Sequence, residues 1–135
     1  MSFVVPNISE VSLLKIIVGK LANGNLKVHL FTNDLVPDEN TTAPGTGGGP
    51  TESVAAGYAA ITTAASEWTV VTDLSGASSA VHSGATFTFT EADTIYGYYI
   101  TLGTEMLLIE RFSDGAVELP SEGGVYTVTA TMNLD

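Results

Sequence analysis

The fold is decided by the segment from Thr94 to Gly115, which reads TIYGYYITLGTEMLLIERFSDG. Its first half is rich in aromatic and β-branched residues, which favour strands. The residues Leu102–Glu105 predict a tight turn, and the run from Met106 to Phe112 predicts a returning strand. Such a hairpin provides packing and no obvious chemistry, and it indicates a β-rich fold.

Further short strands are predicted on both sides of this hairpin. Apolar and polar residues alternate in Leu26–Thr32, in the ATFTFT part of Ala80–Thr90 and in Val125–Leu134, so each segment predicts a strand with one buried face. Shorter strands are predicted at 55–63, 68–72 and 116–119. With the hairpin this gives about eight short antiparallel strands, and no βαβ alternation is present. The sequence therefore predicts an all-β fold, a jelly-roll-like β-sandwich.

One α-helix is predicted before the strands, over residues 7–22. Asn7 is a candidate N-cap, and Glu10 stands where its carboxylate can reach back to the cap. An apolar stripe at helical spacing is formed by Val11, Leu14, Val18 and Leu21. Asn23 and Gly24 predict the end of the helix.

The chain is divided into an N-terminal arm, residues 1–6, and a single β-sandwich domain, residues 7–135. Within the domain, residues 33–53 read NDLVPDENTTAPGTGGGPTES and predict a long surface loop, because they are rich in proline and glycine. A loop of this length in a small domain is either functional or flexible. The residues expected at an interface are Phe3 and Val4 in the arm and Val36 and Pro37 in the loop.

Composition excludes several classes of function. The chain has 135 residues and a net charge of -11, with only 4 lysine and arginine residues. So few cations cannot line a groove for nucleic acid, and an anionic membrane surface is disfavoured for the same reason. The chain has no cysteine, which excludes disulfides, cysteine-zinc sites and thiol nucleophiles. Neither a bilayer-spanning apolar run of ~20 residues nor a secretory signal is expected.

No pattern of catalytic or metal-binding residues is found. His29 and His82 have no neighbouring histidine or cysteine, so they are interpreted as solvent-facing or partly packed strand residues. The acidic residues at 34–40 lack the spacing of a helix–loop–helix calcium site and are interpreted as a solvated start of the loop. No nucleophile, phosphate-binding or zinc-protease motif occurs. The chain is therefore expected not to be an enzyme, with no catalytic residue, no cofactor and no metal.

Two features leave alternatives open. Trp68 and the five tyrosines suit either a sugar-stacking platform or an aromatic core with subunit contacts. Tyr98 and Tyr99 are adjacent in a strand and face opposite sides, so one of them is expected at a surface or an interface. Arg111 is the only arginine, and it is expected to pair with a carboxylate either within the chain or at a subunit boundary.

Four segments, taken in order, resemble a type of small structural protein found in the virions of tailed bacteriophages. They are PNISEVSLLKIIVGK; LKVHLFTNDLVPDENTT; AAGYAAITT with WTV; and IYGYYIT with LLIERFSDG, followed by a closing TVTATMNL strand. Such proteins carry a tryptophan shortly before the ERF motif. This chain departs from that pattern, because Leu108 and Ile109 stand there.

The resemblance implies a virion component that is most like a capsid decoration or cement protein. Its implied partners are the major capsid protein and further copies of the chain in a homo-oligomer, a trimer, with no nucleic acid and no membrane. The implied location is the outside of the capsid, after synthesis in the host cytoplasm. The alternative is a tail or tail-fibre component that binds a receptor glycan of the host.

Overall fold

The chain forms one α-helix and eleven β-strands within residues 3–134, which are the residues described by this computed structural model. The helix, α1, spans Asn7–Ile17, and a single 3₁₀ turn lies at Ala65–Glu67. The strands are β1 Lys27–Phe31, β2 Ile61–Thr62, β3 Trp68–Thr72, β4 Ser78–His82, β5 Ala85–Phe89, β6 Asp93–Ile95, β7 Gly97–Leu102, β8 Glu105–Arg111, β9 Val117–Leu119, β10 Gly124–Val128 and β11 Thr131–Leu134. Strands make up 39% of the chain and pair antiparallel, which confirms the prediction of a β-rich fold with one N-terminal helix.

Pairing groups the described strands into four small sheets. The largest has the strand order β2-β1-β7-β8, and a three-stranded sheet has the order β11-β4-β3. Two further pairs are β10-β5 and β6-β9. β7 is therefore an inner strand of the largest sheet, whereas β3 lies at the edge of the three-stranded sheet.

Both faces of the largest sheet are buried, and each belongs to a different apolar cluster. The main core takes from this sheet Val28, Leu30, Tyr98, Ile100 and Leu108. These side chains meet Phe87 and Phe89 of β5. The second cluster, on the opposite face, consists of Phe31, Tyr99, Met106 and Ile109. Val4 of the arm and Leu35 of the long loop cover the second cluster.

The predicted hairpin is confirmed as the β7–β8 pair, with Gly103 in the left-handed region at φ 60° in its turn. The expectation that Tyr98 or Tyr99 lies at a surface is wrong, since each is only 2% exposed. The reason is that β7 is an inner strand with both faces covered. Gly97 permits this packing, because a Cβ there would overlap the carbonyl oxygen of Glu110 and the ring of Phe31.

Helix α1 is shorter than predicted and begins differently. Pro6, not Asn7, is the N-cap residue, and its carbonyl accepts the N–H groups of Ser9 and Glu10. The helix ends at Ile17 because Gly19 takes a left-handed φ of 74°, a conformation that commonly ends helices.

Three predicted strands are broken in the structure. The predicted strand over 80–90 is divided into β4 and β5, with Gly84 at a φ of 133° between them. The predicted closing strand is likewise divided into β10 and β11, which belong to different sheets. Of the predicted strand over 55–63, only β2 forms, because the chain turns at Gly57 with a φ of 85°. Alternation of residues predicted the faces of these strands but not their breaks.

Arg111 ties the long loop to the largest sheet. Its guanidinium lies 2.6 Å from Oδ1 of Asp34 and donates a 2.8 Å hydrogen bond to the carbonyl of Leu35. It also lies over the ring of Tyr96, 5.2 Å from the centroid. Of the two alternatives for this arginine, the structure therefore contains the intramolecular pair. The loop ends are joined as well, since Thr32 donates to the carbonyl of Thr51.

Arg111→Lys is expected to loosen the start of the loop, because an ammonium cannot hold the carboxylate, the carbonyl and the ring at the same time. Hydrogen exchange followed by mass spectrometry should show faster exchange in residues 33–37 and no change in β7. The matched control is Lys27→Arg, which exchanges the same two residue types at an exposed position of β1. Equal exchange in Arg111→Lys and the wild type would contradict this role.

Candidate interaction surface

Helix α1 is inverted relative to an ordinary surface helix. Its polar residues Ser9 and Ser12 are buried, at 0% and 1% exposure. The apolar side chains that face outward are 41–78% exposed, and they are Ile8, Val11, Leu14, Ile17 and Val18. The first four lie in the helix and Val18 is its C-cap residue, and the five together are called the outer face of α1. A surface helix normally buries its apolar stripe. In the part of the chain that the structure describes, the outer face of α1 is left exposed.

Polar contacts on the inner side set this orientation. The Ser12 hydroxyl donates a 2.6 Å hydrogen bond to Oε2 of Glu105, the first residue of β8. Lys15 lies 3.5 Å from Oε1 of the same carboxylate. The hydrogen bond from Ser12, together with the charge of Lys15, lowers the pKa of Glu105. Ser12 and Lys15 thus attach the helix to Glu105 at the start of β8, while Val11, Leu14 and Val18 face outward.

An apolar groove of about 390 Å³ lies beside the helix. Its lining includes Phe3 and Val5 from the arm, Leu13 and Ile17 from α1, Leu107 and Leu108 from β8, and Val70, Ala80 and Met132 from the three-stranded sheet. Leu107 is left without a partner because the β7–β8 register pairs Ile100 with Leu108 and Thr101 with Met106. Since Ile17 belongs to both features, the groove continues the outer face of α1.

The β3–β4 hairpin extends this apolar surface further. Val70, Ala80 and Met132 are paired across β3, β4 and β11, so they share one face of the sheet. Val70 is 74% exposed, and Leu74 at the tip of the hairpin is fully exposed. The outer face of α1, the groove and the β3–β4 hairpin together are called the α1–β3 surface. Scattered exposed apolar residues are common, but a continuous patch marks an interaction site.

The predicted interface residues are dispersed over the structure. Phe3 is half-buried and lines the groove. Val4 is half-buried on the second cluster and pairs with Ile109 of β8. Val36 is 72% exposed and Pro37 is half-buried, and both lie in the long loop outside the groove. Only Phe3 of the four is therefore part of the α1–β3 surface.

The sequence contained a signal for the residues that were missed. The stripe of α1 is visible as a spacing, but spacing does not say whether the stripe is covered. The serines at 9 and 12, on the opposite side of the helix, are the indication that a different face meets the protein. In β3, the adjacent valines at 70 and 71 break the alternation of a half-buried strand.

Glu52, His29 and Thr101 form a polar cluster in which a carboxylate, an imidazole and a hydroxyl follow one another, as they do in a hydrolase triad. Nδ1 of His29 lies 2.7 Å from Oε1 of Glu52, and its Nε2 lies 2.9 Å from Oγ1 of Thr101. Tyr58 also donates to Glu52, and burial raises the pKa of Tyr58 well above its usual range. Thr101 is only 4% exposed, and His29 is stacked on Tyr99. A sealed hydroxyl cannot attack a substrate, so this cluster joins β1, β7 and the end of the long loop.

The second histidine considered in the sequence, His82, also lies in the packed interior. His82 is 2% exposed, and its Nδ1 accepts a hydrogen bond from the N–H of Gly84. Within residues 3–134 no group of acidic and histidine side chains is arranged to hold a metal ion. None of the helical segments in that range has the length and apolar character needed to cross a bilayer.

Glu110 is the most deeply buried carboxyl group of the largest sheet. It is 7% exposed and accepts a 2.9 Å hydrogen bond from the hydroxyl of Tyr98. Burial raises the pKa of Glu110 above the ordinary value of 4.5, because the charged form loses its hydration. The same burial and the carboxylate raise the pKa of Tyr98.

Comparison with known proteins adds no family to these observations. No protein-family model, no curated protein and no solved structure matches this chain.

Replacing Val11 and Leu14 together by glutamine is expected to change the unfolding free energy of the monomer by less than about 0.5 kcal/mol, because both side chains are exposed. Binding of a dye that reports exposed apolar surface should fall. Leu30→Ala, at a fully buried position, should cost about 2–5 kcal/mol in the same urea titration. A loss as large in the double variant as in Leu30→Ala would contradict the exposure of the outer face. The titration is done at low protein concentration, so that self-association does not contribute.

Glu110→Gln is expected to stabilise the fold at pH 7, because an amide keeps the acceptor for Tyr98 without a buried charge. The raised pKa means that the wild type loses stability when its carboxyl ionises in the folded state. The difference should therefore shrink as the pH falls through the raised pKa and vanish below 4.5. Urea titrations across this range test it, with the exposed Glu118→Gln as control. An unchanged advantage at low pH would refute the assignment.

Proposed function

We propose that this chain is a structural protein of the virion of a tailed bacteriophage, a decoration or cement subunit on the outer surface of the capsid. In this proposal the domain is a jelly-roll-like β-sandwich that acts as a homotrimer and binds the major capsid protein. Its activity is mechanical, without catalysis, cofactor or metal.

The observation that carries the proposal is the α1–β3 surface. A charged, acidic domain that keeps valine, leucine and isoleucine exposed on a helix, beside an apolar groove, is suited to permanent contact with other proteins. The order of segments that resembles virion proteins includes the sequence of α1 itself. The surface and the resemblance therefore overlap in α1, and both support the same class of function.

The charge of the chain supports the outer side of the capsid. With 15 acidic residues against 4 basic ones, the domain repels packaged DNA. Two of the four cations are already paired within the chain, since Lys15 contacts Glu105 and Arg111 contacts Asp34. A location on the inner, DNA-facing side would leave the acidic groups without compensation.

The mechanism that we propose is clamping of neighbouring capsid subunits. Apolar area that is buried at each contact contributes about 25 cal/mol per Å², before the cost of association. β3 has an open edge and offers backbone groups in addition to Val70 and Leu74. Many such contacts repeated over a closed shell act together, so modest affinity per copy resists internal pressure.

The alternative, a tail component that binds a glycan, has less support. Glycan binding needs exposed aromatic faces, and Tyr98 and Tyr99 are each 2% exposed. Trp68 is half-buried and packs edge-on against His82 at 5.1 Å between ring centroids.

Binding to undecorated capsids of the encoding phage tests the proposal. The wild-type protein should sediment with capsids, and replacing Val70 and Leu74 together by aspartate should weaken binding by about tenfold or more. Val125→Asp is the matched control, since Val125 is 63% exposed on β10 and lies outside the α1–β3 surface. Wild-type protein that stays in the supernatant would overturn the proposal. Reproducible binding in a glycan screen would then favour the tail component.

A further inference from the structure

The outer face of α1 carries a coiled-coil pattern as well as exposed apolar residues. Val11 and Val18 are seven residues apart, which places both at position a of a heptad pattern. Leu14, between them, takes position d. Glu10 then stands at position g and Lys15 at position e, on the two borders of the same face. Val11, Leu14 and Val18 are 53%, 60% and 65% exposed, so the seam of this pattern is uncovered in the single chain.

The two charges on the borders indicate what covers the seam. Glu10 and Lys15 are five residues apart, which separates them by about 140° around the helix and prevents them from pairing within it. In a parallel pair of helices, position g of one helix faces position e five residues later in its neighbour. Glu10 of one copy therefore faces Lys15 of another. In an antiparallel pair the g positions of one helix would instead face the g positions of the other, so Glu10 would not face Lys15.

Lys15 is able to make this second contact. Its side chain is 42% exposed while it lies 3.5 Å from Glu105. An ammonium group has three donors, so one carboxylate does not saturate it. Lys15 can thus join its own β8 to the helix of a neighbouring copy.

The width of the apolar face decides the number of copies. Ile8 and Ile17, at the e and g borders, are 41% and 78% exposed. From Ile8 to Ile17 the outer face covers about 180° of the helix circumference, with Glu10 and Lys15 interspersed near its borders, and it is wider than the narrow a/d seam of a two-stranded coil. A helix in a three-helix bundle touches two neighbours and buries such a wider face.

We infer that α1 packs in parallel against α1 of two further copies of this chain, around a three-fold axis, with Glu10 of each copy facing Lys15 of the next. This inference deepens the proposed function, and it rests on that proposal for the expectation of a trimer. The β3–β4 hairpin, and the part of the groove away from Ile17, then remain available for the capsid.

Single cysteines test the geometry directly, because the natural chain has none. In a parallel bundle, equal a positions of neighbouring helices lie side by side. Val11→Cys and Val18→Cys should therefore each form a disulfide-linked pair of chains on mild oxidation. Val125→Cys, equally exposed on β10, should stay unlinked at the same concentration. Linkage through only one of the two variants, or through neither of them, would overturn the inference.

Charge reversal tests the proposed ion pair. Glu10→Lys and Lys15→Glu should each weaken self-association by about tenfold at low salt, since each places like charges opposite one another. The double variant, Glu10→Lys with Lys15→Glu, should recover most of the association. Circular dichroism of each variant checks that it is folded. Equal association in both single variants and the wild type would refute the pair.

The mass in solution distinguishes this inference from the proposed function. Light scattering should give three times the 14.0 kDa of one chain. A monomer or a dimer overturns the three-fold bundle, and if that species still sediments with capsids, the proposed function stands without it. A trimer that does not sediment with capsids would overturn the proposed function and leave the three-fold bundle standing.

Discussion

The rest of the structure depends on the burial of strand β7 on both of its faces. A strand with two buried faces needs two apolar layers, and the first is supplied mainly by β5 and β10, together with Ile95 of β6 and Ala130. The second layer is assembled from irregular segments, Val4 of the arm and Leu35 of the loop. Arg111 holds that loop in place from the end of β8. The arm and the loop are therefore structural parts of the fold, and their apolar residues are largely used within it.

The same constraint explains why α1 keeps an apolar face outward. Because the arm already occupies the middle of β8 through Val4 and Ile109, the helix meets β8 near its beginning, where Ser12 and Lys15 find Glu105. These are polar contacts, so they place the polar side of the helix inward. The exposed valines and leucine of the stripe therefore add little to the stability of one chain.

Sequence patterns predicted the helix and the strands better than they predicted which sheet a strand joins or which faces are covered. The β7–β8 hairpin, the alternation in β1 and β5 and the long loop are local features, and the structure contains them. The breaks at Gly84 and between β10 and β11 depend on which sheet each half joins, and this information is not local. The wrong expectation for Tyr98 and Tyr99 has the same origin, since strand geometry predicts opposite sides and not whether both are covered. The α1–β3 surface was hidden for the converse reason, because an apolar spacing looks the same whether it is covered or exposed.

The groove is also the place where both ends of the described chain meet. Phe3 and Met132 line it together, one from the arm and the other from the last strand. A peptide or domain fused to either end is therefore displayed beside the groove and not on the far side of the molecule. A bulky fusion there competes for space with anything that docks on the groove, whereas the exposed Ser121 and Glu122, in the turn between β9 and β10, offer an insertion point outside its lining.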